Sequence, residues 1–79
     1  MTLVLYSRPG CHLCEEMLAE LEPLVRGRAE VRIVDVSGDP ELERRYGLRI
    51  PVLVAGDTEV SEYPLDRERV EHILSRRPV

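Results

Sequence analysis

The chain has 79 residues, which suffice for one small domain and leave no room for a second hydrophobic core. A third of the residues are charged and are mixed with apolar ones, so the composition excludes a membrane protein and a disordered tail. The net charge is -4, and the arginines occur in runs of two at most, so nucleic acid is not an expected partner. We interpret Arg44-Arg45 and Arg76-Arg77 as solvated helix ends, where cations suit the helix dipole.

Residues 1–6 contain no basic leader and only four consecutive apolar residues from Leu3. This predicts neither a signal peptide nor a membrane span, and a cytoplasmic location is expected. In that reducing compartment a permanent disulfide between Cys11 and Cys14 is not expected, since the loop between them is too short to restrict the unfolded chain much. The spacing of the two cysteines therefore indicates a chemical role.

The first part of the chain predicts a strand followed by a long helix. Thr2 to Tyr6 is apolar and β-favouring, and the turn residues Ser7-Arg8-Pro9-Gly10 stop it. From Cys11 to about Val25 apolar residues recur at intervals of three and four, which is typical of one helix face. Pro23 is expected to bend or end that helix, and Gly27 closes the segment.

The middle of the chain predicts a second strand and a short helix. Val31 to Val36 is rich in Val and Ile and alternates apolar with charged residues, which favours a strand. Asp39 is a suitable N-cap, and Pro40 suits the first turn of the helix. That helix runs to about Tyr46 and ends at Gly47.

The remaining residues predict a hairpin and a final helix. Ile50 to Val54 forms a third strand, Gly56-Asp57 marks a hairpin turn, and Thr58 to Ser61 forms a fourth strand. Asp66 caps a helix with an apolar side. The residues on that side are Val70, Ile73 and Leu74.

The element order is therefore β-α-β-α-β-β-α, in a single domain that spans residues 1–79. The first two strands are joined through a helix and should be parallel, and the last two form a hairpin. The predicted fold class is α/β, with a four-stranded mixed sheet and helices on both faces.

Cys11 opens the first helix, directly after a strand and a Pro-Gly turn. Backbone amides and the helix dipole stabilise a thiolate at such a position, and Arg8 and His12 add nearby donors or positive charge. These surroundings lower a cysteine pKa from about 8.5 to roughly 3.5–7.5. Cys11 is therefore the predicted nucleophile, with Arg8 and His12 tuning its thiolate. His12 is also a candidate proton donor to the leaving thiol.

Cys14 lies one helical turn later, so its sulfur can face that of Cys11. It is on the apolar side of the helix beside Met17 and Leu18, where burial should keep it a neutral thiol. This asymmetry suits an exchange in which Cys11 attacks a disulfide and Cys14 resolves the mixed disulfide. The alternative of two incidental core thiols fits Cys14 alone better than it fits both residues at this site.

A metal site is another interpretation of the cysteine pair. Two cysteines supply half of a structural zinc site, which needs four ligands. His12 points away from the direction that the two sulfurs share, and His72 on the last helix is expected at the surface. No metal site made by this chain alone is expected, whereas a cluster shared between two chains, with added thiols, stays open.

Two segments resemble glutaredoxins of the thioredoxin superfamily. Residues 5–14 read LYSRPGCHLC and are similar to the active-site entry of glutaredoxins, where a strand ends in Tyr and a basic residue stands three before the nucleophile. Residues 46–52 read YGLRIPV and resemble the segment that carries the cis-proline of the superfamily. The resemblance covers nearly the whole chain, and the Cys-His-Leu-Cys variant looks most like a group of small bacterial glutaredoxin-like proteins.

The resemblance implies a cis peptide bond at Ile50-Pro51 that packs beside Cys11. The Ile50 backbone would then pair with an extended substrate backbone as an added strand. By the same resemblance the substrate-binding residues are Tyr6, Arg8, Ile50 and Pro51, and Arg8 would pair with a carboxylate. Without that kinship Pro51 is the first residue of an ordinary strand, and Arg8 is an exposed arginine at a turn.

The sequence departs from the glutaredoxin pattern at the glutathione site. His12-Leu13 replaces the usual Pro-Tyr, so Leu13 removes a tyrosine from the glutathione groove. Residues 61–66 read SEYPLD in place of the Gly-Gly-x-Asp that helps hold the γ-glutamyl group, and Glu62 puts negative charge near an anionic tripeptide. The same stretch has some likeness to the glutaredoxin-like electron donors of ribonucleotide reductase, which thioredoxin reductase recharges.

We expect a monomeric glutaredoxin-like thiol–disulfide oxidoreductase that reduces disulfide-containing proteins or glutathione mixed disulfides. Its expected reductant is either glutathione, as a co-substrate, or thioredoxin reductase, and no bound cofactor or membrane is implied. Two alternatives keep the same fold. One is a non-catalytic binding module that carries a metal or cluster, and the other is a thiol redox sensor, which needs the same acidic, accessible cysteine.

Overall fold

The computed structural model describes residues 1–75. Apolar residues alternate along its strands and recur every three or four positions along its helices, and the elements follow one another in the predicted order. The strands are β1 (Thr2–Ser7), β2 (Glu30–Asp35), β3 (Val52–Ala55) and β4 (Thr58–Ser61). The helices are α1 (His12–Val25), α2 (Pro40–Tyr46) and α3 (Arg67–Ser75). A single 3-10 turn, Val36–Gly38, joins β2 to α2.

The strands form one mixed sheet in the order β2-β1-β3-β4. β1 and β2 run parallel, because α1 connects them, and Leu5 stands opposite Ile33 in their register. β3 lies antiparallel to both β1 and β4. The β3–β4 hairpin turns at Gly56, whose φ of +61° is favourable for glycine and costly for most other residues. The α/β class, the parallel pair and the hairpin are confirmed.

Helices cover both faces of the sheet, as predicted. α1 and α3 pack on one face, and α2 with the 3-10 turn packs on the other. The buried members of the larger core are Leu3, Leu5, Met17, Leu21, Val25, Leu53, Val60, Val70 and Leu74. The smaller core consists of Val36, Tyr46, Val52 and Val54. No helix within residues 1–75 combines the length and the apolar character that crossing a membrane requires.

Strand alternation decides which face each β1 side chain joins. Leu3 and Leu5 enter the core under α1, whereas Tyr6 packs on the core under α2. The same alternation continues past the end of the strand, where the Arg8 side chain reaches α2. The last residues of β1 therefore connect the cysteine helix with the opposite layer of the fold.

The start of the first helix differs from the sequence-based expectation, whereas its end at Val25 agrees with it. β1 continues to Ser7, and Cys11 is the N-cap of α1 rather than its first helical residue. Pro23 does not end α1, which continues to Val25. A proline this close to the helix end removes one intrahelical hydrogen bond and leaves the earlier turns intact.

The predicted bounds of two strands also need correction. Val36 is not part of β2, because it starts the 3-10 turn and is buried under α2. β3 begins at Val52 and not at Ile50. Pro51 has no N–H to donate to the ladder, so it precedes the paired part of the strand.

The predicted helix caps are present. Asp39 Oδ1 accepts two backbone amides of α2 at 2.9 and 3.3 Å, and Asp66 Oδ1 accepts an amide of α3 at 3.0 Å. Arg44-Arg45 lies in the exposed last turn of α2, which confirms its interpretation as a solvated helix end. Arg76-Arg77 and the end of the predicted 1–79 domain lie outside the described residues.

β2 is an edge strand whose α1-side face is only partly covered. It pairs with β1 alone among the described strands. On that face Val31 is half-buried against the larger core, and Ile33 keeps 57% of its surface exposed. Apolar surface is therefore left open beside the N-terminal half of α1.

Replacing Leu21 by alanine should destabilise the fold, because its side chain is completely buried in the larger core. Leu→Ala changes at such sites cost about 2–5 kcal/mol, since transfer free energy is lost and a cavity remains. Leu48→Ala is the matched control: Leu48 is fully exposed, so its free energy of unfolding should change by less than about 0.5 kcal/mol. Urea unfolding measures both variants, and equal losses would contradict this core.

Candidate active site

Cys11 caps the N-terminus of α1 with its own sulfur. Its backbone is extended (φ -82°, ψ 104°), and its carbonyl oxygen accepts the amide of Glu15 at 3.2 Å. Its Sγ accepts the backbone N–H of Cys14 at 3.1 Å. The sulfur thus takes the place of the side-chain oxygen that usually satisfies a free amide at the start of a helix.

The turn before Cys11 delivers it to this position. Gly10 has a φ of +77°, which glycine adopts at no steric cost. The Cys11 N–H then donates to the Arg8 carbonyl oxygen at 3.3 Å and closes the turn. The Pro-Gly pair that the sequence analysis interpreted as a strand stop therefore also sets where α1 begins.

Cys11 and Cys14 form a disulfide, with their Cα atoms 5.2 Å apart. One helical turn separates the residues, which accounts for their closeness. Cys14 is only 4% exposed, whereas Cys11 is partly exposed. The predicted burial of Cys14 is confirmed, and Cys11 is the sulfur of this redox-capable pair that another molecule can reach.

A shallow cavity of about 180 Å³ opens beside the disulfide, between the N-terminal half of α1 and β2. Its walls combine the two cysteines with Leu5, Pro9, Glu15, Leu18 and Ile33. An adjoining concavity shares Pro9 and Ile33 and extends to Asp35. The site therefore has apolar surface next to the accessible sulfur of the pair.

Arg8 lines the same cavity, but its guanidinium group binds α2. Its Nη2 donates to Glu43 Oε1 at 2.6 Å and to the carbonyl oxygen of Gly47 at 2.8 Å. The carboxylate of Glu43 thus balances the positive charge of Arg8, which was predicted to stabilise the Cys11 thiolate. Tuning of Cys11 by Arg8 stays a prediction.

The lack of space beside the Arg8–Glu43 ion pair requires a glycine at position 47. A Cβ atom at Gly47 would overlap both the side chain and the carbonyl oxygen of Glu43. Its φ of -55° is ordinary for any residue, so crowding and not backbone conformation demands glycine here. Arg8 thereby ties the turn before Cys11 to the loop that leads towards Ile50-Pro51.

His12 lies on the outer side of α1, with 82% of its side chain exposed and its Nε2 2.9 Å from Glu16 Oε2. The Tyr63 hydroxyl donates to the other carboxylate oxygen of Glu16 at 3.1 Å. This hydrogen bond to a carboxylate raises the pKa of Tyr63. The three side chains link the segment before α3 to the first turns of α1, and the predicted roles of His12 stay predictions.

Tyr6 is part of the packing under α2. Its ring stacks on that of Tyr46, with centroids 4.2 Å apart and planes inclined by 12°. Burial raises the pKa of the Tyr6 hydroxyl. The structure does not bring Tyr6 to the cavity beside the cysteines, and its predicted contact with substrate stays a prediction.

The Ile50-Pro51 peptide bond is cis, as the resemblance implied. Pro51 is buried and Ile50 is partly exposed. Pairing between β1 and β3 starts with Tyr6 opposite Val52, so Ile50 lies beyond the ladder, at the end of the sheet where β1 leads to Cys11. A second cis bond, Tyr63-Pro64, was not predicted.

Glu62 carries the negative charge that the sequence analysis placed near the glutathione position, but that charge has a partner. Arg49 donates to Glu62 at 2.9 Å and also pairs with Glu59. These hydrogen bonds raise the pKa of Arg49, because the two carboxylates stabilise its cation. The segment after β4 is thereby attached to the loop before β3.

Sequence reasoning missed Glu43 and Gly47, whose contacts with Arg8 join residues 35 and 39 positions apart. No local pattern reports such a contact, although strand alternation puts Arg8 on the face that Tyr6 occupies.

Within residues 1–75 no group of three or more His, Cys, Asp or Glu side chains is arranged to hold a metal ion. His72 is exposed, as predicted.

A four-stranded mixed sheet, a Cys-x-x-Cys pair at the start of α1 and a cis-proline before β3 together define a thioredoxin-like fold. Residues 2–75 match the glutaredoxin-like domain family (DUF836), so the chain belongs to that family. No curated protein sequence is significantly similar to the chain. The predictions of fold and family are confirmed.

Solved structures agree with this assignment. Protein Ne2328 from Nitrosomonas europaea is 40% identical, with a TM-score of 0.81 over 91% of this chain and 88% of that one. The structural-genomics target protein XcR50 from X. campestris is 35% identical, with a TM-score of 0.73 over 96% of this chain and 99% of that one. Thioredoxin 1 from Thermosipho africanus, at 14% identity and a TM-score of 0.62 over 95% and 96%, shares the fold.

Replacing Gly47 by alanine should destabilise the protein by about 1–3 kcal/mol, the usual cost of overpacking, because the new methyl group must displace Glu43. Gly38→Ala is the control, since a Cβ atom there meets nothing within 4 Å and the φ of Gly38 is not positive. The free energies of unfolding in urea compare the two variants. Equal values for Gly47→Ala and Gly38→Ala would contradict the crowding around the Arg8–Glu43 pair.

Proposed function

We propose that the protein is a thiol–disulfide oxidoreductase in which Cys11 is the nucleophile and Cys14 the resolving thiol. The observation that carries this proposal is the Cys11 sulfur at the N-cap of α1, bonded to a Cys14 that is almost fully buried. A helix N-terminus favours the thiolate of one cysteine, and burial favours the neutral thiol of the other. The two sulfurs are thus unequal before any substrate arrives.

The reaction proceeds in two exchanges. The Cys11 thiolate attacks one sulfur of a substrate disulfide, so a bond forms between Cys11 and that sulfur and the other substrate sulfur leaves as a thiolate, which takes a proton. Cys14 then gives up its proton and attacks Cys11 Sγ, which forms the Cys11–Cys14 disulfide and releases the second substrate thiol. Two electrons and two protons pass from the protein to the substrate.

The amide of Cys14 supports the first exchange. It donates to Cys11 Sγ even in the disulfide, and a hydrogen bond to a charged acceptor is stronger than one to a neutral acceptor. The N–H is therefore in position to stabilise negative charge when the disulfide is reduced. Arg8 and His12 are proposed to add a weaker effect, since each already pairs with a glutamate.

The end of the sheet beyond β3 is the proposed docking edge for the substrate backbone. Ile50 precedes the paired residues of β3, at the end of the sheet that also carries Cys11. An extended substrate segment can add to such a backbone by strand-like hydrogen bonds. A disulfide-containing protein is accordingly the proposed substrate.

We further propose that thioredoxin reductase, rather than glutathione, supplies the electrons. The guanidinium group of Arg8, which the resemblance offers to a carboxylate of glutathione, is engaged by Glu43. Glu15 beside the cavity adds negative charge, and its carboxylate has no cationic partner within the described residues. An anionic tripeptide is disfavoured in such surroundings.

The cysteine roles predict different outcomes for two variants. Cys11→Ser should abolish disulfide reduction, because the sulfur that attacks is missing. Cys14→Ser should complete the first exchange and retain the substrate, because no thiol resolves the mixed disulfide. Mass spectrometry of each reduced variant after mixing with a peptide disulfide detects the adduct.

Alkylation of the reduced wild type is the control for these roles. At about pH 6 iodoacetamide should modify Cys11 well before Cys14, since the pKa of an N-cap thiol is lowered and Cys14 is buried. Equal rates for the two cysteines, or an adduct that survives in Cys11→Ser, would overturn the assignment.

The choice of reductant predicts a difference between two coupled assays. Oxidation of NADPH with thioredoxin reductase should exceed oxidation with glutathione and glutathione reductase by about tenfold or more, which corresponds to about 1.4 kcal/mol. Glu43→Gln frees the charge of Arg8 and should narrow this difference by raising the rate with glutathione. Faster recycling by glutathione in the wild type would reject this choice, and no recycling by either would reject both reductants.

A further inference from the structure

The turn that carries Cys11 is flanked by two different surfaces. β1 leads into this turn and lies between β3 and β2. Ile50-Pro51 precedes β3 on one side, and Ile33 on β2 borders the cavity beside the disulfide on the other. We call this second surface the β2-side cleft. Its walls include Pro9, Cys11, Glu15, Leu18, Ile33 and Asp35, and Arg8 lines it as well.

The β2-side cleft exposes apolar surface that the fold does not use. Ile33 is 57% exposed although its β1 neighbour in the register, Leu5, is completely buried. Leu18 on α1 is also only partly buried, and it lines the same cavity as Ile33. Apolar surface of this kind, directly beside a reactive sulfur, is suited to contact with another molecule.

The two carboxylates at the rim of the cleft have no ion-pair partner in the described part of the chain. The carboxylates of Glu15 and Asp35 form no ion pair within residues 1–75, and Glu15 is exposed on the first turn of α1. Hydrogen bonds from Ser37 lower the pKa of Asp35, so this carboxylate remains ionised at neutral pH. Arg8 also lines the cleft and is a minor cause of the lowered pKa of Asp35, but its guanidinium group lies 2.6 Å from Glu43 Oε1, whose carboxylate offsets that charge.

We propose that the β2-side cleft binds a segment of the protein substrate that carries an apolar side chain next to a lysine or arginine, close to the disulfide to be reduced. The apolar side chain lies against Leu18 and Ile33, and the cation pairs with Glu15 or Asp35. This inference rests on the proposed oxidoreductase function and adds the class of substrate. Charge complementarity at the rim steers such a segment to Cys11 and raises its association rate.

The same charges disfavour other occupants of the cleft. A second copy of the chain bound face to face would bring Glu15 and Asp35 against identical carboxylates, since a two-fold interface pairs a surface with itself. An anionic membrane surface and an anionic tripeptide meet the same repulsion. A basic, apolar peptide segment is the occupant that satisfies both the apolar wall and the acidic rim.

The test measures how fast the reduced protein exchanges with peptides that carry thionitrobenzoate on a central cysteine. One peptide has Leu-Arg-Cys-Arg-Leu at its centre, a second has Leu-Glu-Cys-Glu-Leu, and a third has Ser-Arg-Cys-Arg-Ser. Each second-order rate is divided by the rate of the same peptide with mercaptoethanol, which removes the intrinsic reactivity of its disulfide. Hydroxyethyl disulfide serves as a small substrate that does not fill the cleft.

The wild type should prefer the first peptide to the second by about tenfold, because two opposed charge pairs are replaced by repulsion. Glu15→Lys should reduce this preference to about twofold or reverse it. Ile33→Ser should slow the first peptide about fivefold and leave the third nearly unchanged, since only the first has an apolar side chain to bind. Glu68→Lys, the same charge reversal at an exposed first-turn glutamate of α3, is the matched control and should keep the wild-type preferences.

The two proposals fail in different ways in this experiment. Equal relative rates for all three peptides, or preferences that Glu15→Lys and Ile33→Ser leave unchanged, would overturn the docking role of the cleft while hydroxyethyl disulfide is still reduced. Loss of exchange with hydroxyethyl disulfide and all peptides would instead reject the oxidoreductase function. Circular dichroism of each variant confirms that a slower rate does not come from unfolding.

Discussion

The hydrogen bond from the Cys14 amide to the Cys11 sulfur joins the start of α1 to the disulfide. It exists because Gly10 turns the chain so that Cys11 caps the helix and does not continue it. The Cys11 sulfur then accepts a backbone amide and is partly exposed, whereas Cys14 lies one turn further along the helix and is buried.

The layer under α2 shapes the site although it contributes no sulfur. Strand alternation turns Arg8 towards α2, where Glu43 and the Gly47 carbonyl hold its guanidinium group. This contact fixes the turn before Cys11 against the loop before Ile50-Pro51, and it also balances the nearest arginine charge. The surroundings of the disulfide therefore carry less net positive charge than the arginine alone would give, and the proposed preference for cationic partners rests on this balance.

In the proposed exchange the two surfaces beside Cys11 serve different aspects of substrate recognition. Near Ile50 the backbone can form hydrogen bonds with any extended segment. In the β2-side cleft, apolar side chains and carboxylates would distinguish one segment from another. Backbone pairing supplies affinity without sequence preference, and side-chain pockets supply the preference. A small domain can in this way combine a general exchange reaction with a restricted set of substrates.

Local chemistry along the chain determined the elements, because the spacing of apolar residues and the caps at Asp39 and Asp66 act within a few positions. The same local signals placed Cys11 at a helix start and Cys14 on its buried side. Tertiary structure alone decided that Arg8 meets Glu43, 35 positions away, and that Ile33 stays exposed beside the disulfide. Such contacts depend on how the sheet and the helices pack. A sequence pattern that spans only one turn or one strand therefore does not predict them.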